Sequence, residues 1–280
     1  MREISVEKIK EKVKEMLIAI NYELSLDMRT ALSEAKNKET SPVGQNILSQ
    51  LEENMQIAKE KLIPICQDTG MAVIFLEVGQ DVHFAGGDFT ESIDQGVREA
   101  YDEGYLRKSV VSDPLLRVNT KDNTPAVIHT SIIPGEKVKI TVTCKGFGSE
   151  NMSKIFMLKP ADGKDGVKEA VVSAVKEAGP NACPPVVVGV GLGGTFEKAA
   201  LMSKEALLRP VKEKSPLEHI AQLEEEILEE INNLDIGPAG LGGRTTALAV
   251  NINTYPTHIA GLPVAVNICC HVNRHASCEI

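Results

Sequence analysis

Long apolar runs are missing from this 280-residue chain: no uncharged hydrophobic stretch approaches 18 residues, so no membrane-spanning helix is predicted. Clusters of basic residues are missing too. With 30 Lys and Arg against 39 Asp and Glu, a net charge of −9, and no sustained Lys/Arg patch, the chain lacks the footprint of a nucleic-acid binder. No cysteine pair stands at C-x₂-C spacing, which excludes a zinc ribbon or a ferredoxin-type run. No Pro/Ser-rich linker or low-complexity tract breaks the sequence, so one large domain over 1–280 is expected. Met1-Arg2-Glu3-Ile4 does not open a signal peptide, and six cysteines in a chain of this length point to the cytoplasm or another reducing compartment. What is present, 42% hydrophobic and 25% charged residues, is enough for a sizeable core.

The periodicities predict an α+β fold, with mixed, largely antiparallel sheets surrounded by helices in a single large domain. Val6, Ile9, Val13, Met16, Leu17 and Ile20 recur at helical spacing. Val43, Ile47, Leu51, Met55 and Leu62 do so again after Ser41 as N-cap and Pro42 at the first helical position. Met71 to Val78 reads as a buried strand and Phe89 to Leu106 as a helix. Ala126 to Ile133 and Val138 to Thr143 read as a strand pair turning at Pro134-Gly135. Further on, helices are expected over Lys164 to Ala178 and Thr195 to Leu208, and from Ser215-Pro216-Leu217-Glu218 to about Leu234, with strands at Val186 to Val190, Thr246 to Ile252 and Leu262 to Ile268. Glu224, Glu225, Glu226, Glu229 and Glu230 read as a solvated helix face.

Three cysteines sit beside strands in loop-like settings: Cys66 in Pro64-Ile65-Cys66-Gln67-Asp68-Thr69-Gly70, Cys183 in Asn181-Ala182-Cys183-Pro184-Pro185, and Cys270 in Cys269-Cys270-His271. A cysteine in such a place is ordinarily a packed small hydrophobe. Three thiols can also hold an iron–sulfur cluster with one iron left for substrate, or a zinc ion with a histidine as fourth ligand. Cys269 and Cys270 adjoin, and neighbours on an extended segment point oppositely, so only one of them can serve.

Gly189-Val190-Gly191-Leu192-Gly193-Gly194 matches G-x-G-x-x-G between a strand and a helix. The following segment supplies no second strand with an acidic residue for a ribose, which argues against a dinucleotide site and leaves a nucleotide-binding module as a minor alternative. Tight strand-to-helix packing and closure over an anion are the two readings of these glycines. The Gly237-Pro238-Ala239-Gly240-Leu241-Gly242-Gly243-Arg244 stretch is a helix-to-strand connection or a close approach to a ligand.

The order Cys66-Gln67-Asp68-Thr69-Gly70, Lys145-Gly146-Phe147-Gly148-Ser149-Glu150-Asn151, Ala182-Cys183-Pro184-Pro185 and His258-Ile259-Ala260-Gly261-Leu262-Pro263-Val264-Ala265-Val266-Asn267 resembles the class I, iron–sulfur fumarate hydratase and L-tartrate dehydratase family, in its N-terminal domain or separate α subunit. The resemblance implies a [4Fe–4S] cluster on Cys66, Cys183 and, by alignment through the His258 motif, Cys270. It implies Asp68 in proton transfer, and Gln67, Arg107, His258 and Gly146 in substrate binding; His129 also matches a family position. Reversible hydration of fumarate to L-malate is the implied activity, with L(+)-tartrate dehydration as the alternative. A small dicarboxylate would be the substrate. Family members complete the site with a second domain or β subunit, so an α₂β₂ complex or an α homodimer is expected. Cys144 and Cys278 match no family role. An arginine such as Arg107 suits a carboxylate because its planar fork binds two oxygens at once; an exposed helix-terminal cation is the other reading of that residue.

Overall fold

The computed structural model describes residues 1–280. Its elements run β1 (Arg2–Ser5), α1 (Val6–Tyr22), α2 (Leu26–Lys38), α3 (Pro42–Lys61), β2 (Met71–Gly79), β3 (Val82–Ala85), α4 (Phe89–Glu103), β4 (Val127–Ile133), β5 (Val138–Lys145), α5 (Phe147–Glu150), β6 (Lys154–Leu158), α6 (Gly163–Ala178), β7 (Val186–Gly193), α7 (Phe196–Ala206), α8 (Glu218–Asn232), β8 (Ala247–Tyr255), β9 (Leu262–Cys269) and β10 (His275–Glu279). The fold is α+β, and each four-stranded sheet is mixed, with two antiparallel pairings and one parallel. Two compact units share the chain: Met1–Ser25, Asn54–Gly146 and Arg274–Ile280 form the first, Leu26–Glu53 and Phe147–Asn273 the second. No linker is visible in the sequence because ordered segments, α3 among them, carry the chain from one unit to the other.

In the first unit the sheet order is β10-β5-β2-β4. Ile9, Val13 and Leu17 of α1 are fully buried with Ile93, Val97 and Ala100 of α4 and with Ile74, Ile140 and Val142 of the sheet. The two helices meet closely at Gly96, where a Cβ would stand 2.6 Å from the Lys10 carbonyl oxygen. The expected pairing of β4 with β5 across Pro134-Gly135 does not form. β2 lies between them, parallel to β4 and antiparallel to β5. Its apolar run, with Val73, Ile74 and Leu76 buried, takes the centre of the sheet, as runs buried on both faces do. The turn instead crosses the end of β2: Gly79 N donates to Lys137 O at 2.8 Å and Asp81 N to Gly135 O at 3.0 Å.

The second unit has the order β6-β9-β7-β8, and its chain path repeats that of the first. β7 is followed by helices, then by its parallel neighbour β8, then by its antiparallel neighbour β9, as β2 is followed by α4, β4 and β5. The glycines of β7 serve packing. A Cβ on Gly189 would lie 2.1 Å from Ser203 O and one on Gly191 2.0 Å from Ala199 O, so α7 rests directly on the strand backbone.

Two local expectations change in α8. The helix starts at Glu218, and Ser215 provides no side-chain cap to it. The Ser215 N–H is taken by Glu224 Oε2 at 3.1 Å. Glu224 is therefore not part of a solvated face: it is buried, pairs with Arg209, and accepts the Ile252 N–H at 2.7 Å.

Candidate active site

Cys66 to Gly70 connect α3 to β2 in the first unit. Ile65, just upstream, is tied at both ends, its N–H to Asn21 O at 2.9 Å and its carbonyl to Asn54 Nδ2 at 2.8 Å. Beyond it Cys66 and Asp68 are half-buried and Gln67 is exposed. The loop is shaped from beneath by buried donors: Arg274 Nη2 donates to the Asp68 carbonyl at 2.5 Å, the Tyr101 hydroxyl reaches Thr69 O at 3.1 Å and Gly70 O at 2.9 Å, and Asn123 Nδ2 donates to Gly70 O at 3.2 Å. Burial, then the neighbouring Cys144, push the Tyr101 phenol well up, which keeps it a neutral donor. Asp68 Oδ1 accepts the Gly70 N–H at 3.0 Å, an Asx turn.

Gly146 follows β5 at the same edge of the sheet, because Met71 is in register with Lys145. A Cβ at Gly146 would lie 3.0 Å from Asp68 Oδ2, and one at Gly70 2.6 Å from the Lys145 backbone. At Gly70, where φ is +74° and the atoms met are backbone, only glycine allows the two loops so close. Arg107 joins them through its main chain: its N–H donates to Thr69 Oγ1 at 2.9 Å, while its side chain is exposed. The first unit thus brings Cys66, Gln67, Asp68, Arg107 and Gly146 into one neighbourhood. His129 lies on β4, stacked on Phe75 with ring centroids 5.1 Å apart.

In the second unit Cys183 stands before β7 and Cys270 after β9, positions equivalent to those of Cys66 and Gly146 in the first. Cys183 is exposed and left-handed (φ 54°). The His271 Nδ1 to Cys183 carbonyl contact of 3.1 Å holds the two cysteine segments together. Cys269 is buried and Cys270 half-buried; a hydrogen bond with Cys269, then burial, push the Cys270 thiol well up. None of the six cysteines is in a disulfide. Within neither unit do three Cys, His, Asp or Glu side chains form a metal-binding group, since Cys66 belongs to one unit and Cys183 and Cys270 to the other.

His258 is not brought to these thiols inside its unit. It lies in the exposed β8–β9 connection, where Thr257 Oγ1 donates to Gly194 O at 2.9 Å and His258 Nδ1 accepts the Ala260 N–H at 3.2 Å. β9 separates it from Cys270, and eight extended residues span roughly 25 Å.

Sequence reasoning missed Arg274, Tyr101, Asn123 and Glu39. Arg274 is a cation four positions past Cys270, and Asn123, at φ 63°, is a residue type that tolerates the left-handed region. Those were the only local signals. Glu39 is buried at the mouth of α3, where its carboxylate accepts the N–H groups of Ser41, Arg244 and Thr245 at 2.9, 3.0 and 2.8 Å. It fastens the Gly237–Arg244 stretch to the start of that helix. Burial would raise its pKa, but these bonds outweigh burial and hold it at about 2.

No helix is long and apolar enough to cross a membrane. The profile of the family described as "Fumarate hydratase (Fumerase)" matches residues 10–279. A Methanocaldococcus jannaschii protein named provisionally as an L(+)-tartrate dehydratase subunit alpha is 42% identical over 275 residues, covering 96% of each chain. The L(+)-tartrate dehydratase subunit alpha of Escherichia coli strain K12 is 33% identical over 277 residues, 98% of this chain and 91% of the other, and that of Shigella sonnei strain Ss046 matches equally. With nearly every residue inside the family profile, and with the loop motifs in place at matching sheet edges, the chain belongs to the fumarate hydratase (Fumerase) family and is a hydro-lyase enzyme.

Proposed function

We propose that residues 1–280 act as one catalytic α subunit, paired with a β subunit, of a [4Fe–4S]-dependent fumarate hydratase that interconverts fumarate and L-malate. The observation that carries this reading is the Asp68 carboxylate set against Gly146, with the main chain of Arg107 strapped to the same loop; a carboxylate and an exposed arginine on neighbouring backbone suit a small dicarboxylate. The thiols fit the cluster by their chemistry: Cys66, Cys183 and Cys270 are in no disulfide, stand in loops, and each has some exposure, whereas Cys269 is buried. Those three would hold the cluster, which would supply a Lewis acid for the substrate hydroxyl and carboxylate. Arg107 grips a substrate carboxylate through its fork, and Gln67 offers an amide donor. Asp68 holds or passes the proton of the adjacent carbon at Oδ2, Oδ1 being engaged by the Gly70 N–H. Glycine at 146 lets the substrate approach that oxygen.

His258 lies too far along β9 from Cys270 to meet a substrate of a few ångströms bound at the same cluster. Its role in substrate binding is best met from a second copy, within an α homodimer or an α₂β₂ complex. Six cysteines kept as thiols favour a reducing compartment such as the cytoplasm. L(+)-tartrate dehydration is the second reading, favoured by the names of the relatives.

The deciding experiment is anaerobic co-purification with the cognate β subunit, iron and sulfide analysis, and turnover of fumarate and L(+)-tartrate in parallel. Faster turnover of fumarate supports the first reading, and faster turnover of tartrate the second. A colourless protein holding zinc and active on neither acid would sink both.

A further inference from the structure

The segment that carries Arg107 has no strand or helix of its own: α4 has ended at Glu103, Tyr105 turns the chain at φ 51°, and residues 106–110 are irregular. Something other than a ladder must fix the Arg107 backbone. Two buried side chains do so. Thr69, 1% exposed and next to Asp68 in sequence, accepts the Arg107 N–H at 2.9 Å and directs its hydroxyl toward Arg107 O at 3.3 Å. Asn123, equally buried, donates from Nδ2 to Gly70 O at 3.2 Å and accepts the Ser109 and Val110 N–H groups at 2.7 and 3.1 Å. Together they imitate a short stretch of sheet between the Asp68 loop and the Arg107 segment.

We propose that Thr69 is a positioning residue that sets Arg107 in register with Asp68, so that the cation meets the substrate carboxylate while the carboxylate of Asp68 faces the reacting carbon. This rests on the roles proposed above for Arg107 and Asp68. Threonine suits the task because its β-branch restricts χ1, which keeps the hydroxyl aimed at one backbone group. Asn123 strengthens the strap from the other side of Gly70.

Thr69→Val keeps the shape and removes the hydroxyl; Thr69→Ser keeps the hydroxyl. In the full chain, site-resolved hydrogen exchange of the Arg107 amide should be about tenfold faster in Thr69→Val, as expected for the loss of one hydrogen bond, and near the wild-type rate in Thr69→Ser. In the complex with the β subunit, Thr69→Val should raise KM for the dicarboxylate about tenfold with a much smaller change in kcat, and Thr69→Ser should restore it. Should Thr69→Val fail to fold, Thr69→Ala provides the same comparison without a β-branch in the buried site. An Arg107 amide that exchanges at the wild-type rate, or a loss confined to kcat with KM unmoved, overturns the proposal. If the wild-type complex turns over neither acid, the proposed reaction falls, and the exchange rate at Arg107 alone decides the positioning role.

Discussion

Arg274 Nη2 donates to the carbonyl oxygen of Asp68 at 2.5 Å across 206 residues of sequence. The same guanidinium donates from Nε to Cys144 O at 3.3 Å, and the side chain is buried. A fixed cation beneath the Asp68 loop therefore comes from the segment that leads into β10.

Arg274→Gln should lower stability by ~1–3 kcal/mol, because a buried carbonyl loses its charged donor. Turnover by the complex should fall by up to about 10²-fold, as a displacement of about an ångström in a reacting group can cost that much. Urea midpoints and kcat read the two effects separately. Unchanged kcat in a folded Arg274→Gln chain would detach the arginine from the site.

Cys66→Ser, Cys183→Ser and Cys270→Ser should each abolish the about four irons expected for one cubane, serine being a harder ligand that ionises less readily. Cys144→Ser and Cys278→Ser should keep them. Iron analysis after anaerobic reconstitution checks the set. Retention of the cluster by Cys270→Ser with its loss in Cys269→Ser would exchange the third ligand.

Glu39 predicts a pH dependence. Its folded pKa, about 2, lies below the ordinary ~4.3 of an unfolded glutamate, so its contribution is complete above pH ~4.3 and is lost as pH falls toward 2. At ~1.4 kcal/mol per pH unit the contribution is ~3 kcal/mol. Glu39→Gln should cost roughly that at pH 7 and much less at pH 3, measured by denaturant titration at both. An equal cost at the two pH values would show that the carboxylate charge is not what holds the Gly237–Arg244 stretch.

Gly191→Ala should destabilise the second unit by ~1–3 kcal/mol, since the added methyl meets Ala199 O at 2.0 Å and Ser203 N at 2.8 Å, backbone atoms that can yield only by lifting α7 off the sheet. Gly135→Ala is the control, with nothing within 4 Å but φ at +96°, so any cost there is conformational. A thermal scan of the pair separates packing from strain.

What could be read from the residues was mostly what is local. The 3.6-residue stripe from Val6 to Ile20, the apolar runs at Met71 and Val186 and the loop motifs around Cys66 and Cys183 each report their own surroundings, and each forms as its pattern implies. The centre of the first sheet was not legible, because nothing in Pro134-Gly135 tells that β2, far back in the chain, lies between the two strands it joins. Glu224 was misplaced for a related reason: amid four other glutamates its burial depends on Arg209 and on the Ser215 and Ile252 amides, partners that no helical periodicity records. Glu39 and Arg274 act the same way, through backbone groups more than two hundred positions away. The repeated path of the two sheets was invisible because strand direction and neighbour order, rather than residue identity, are what recur.

The interleaving of the units sets an order of events during synthesis. Chains generally fold from the N-terminal side as they emerge, but the first unit includes residues 274–280, with β10 completing one side of β5 and Arg274 bracing the Asp68 loop. The whole of the second unit's longer segment, 147–273, must leave the ribosome before that brace exists. Until then the loop that carries the Cys66 thiol has its Tyr101 and Asn123 contacts but lacks its charged donor, so a nascent chain presents its first thiol in a looser setting than the finished fold does.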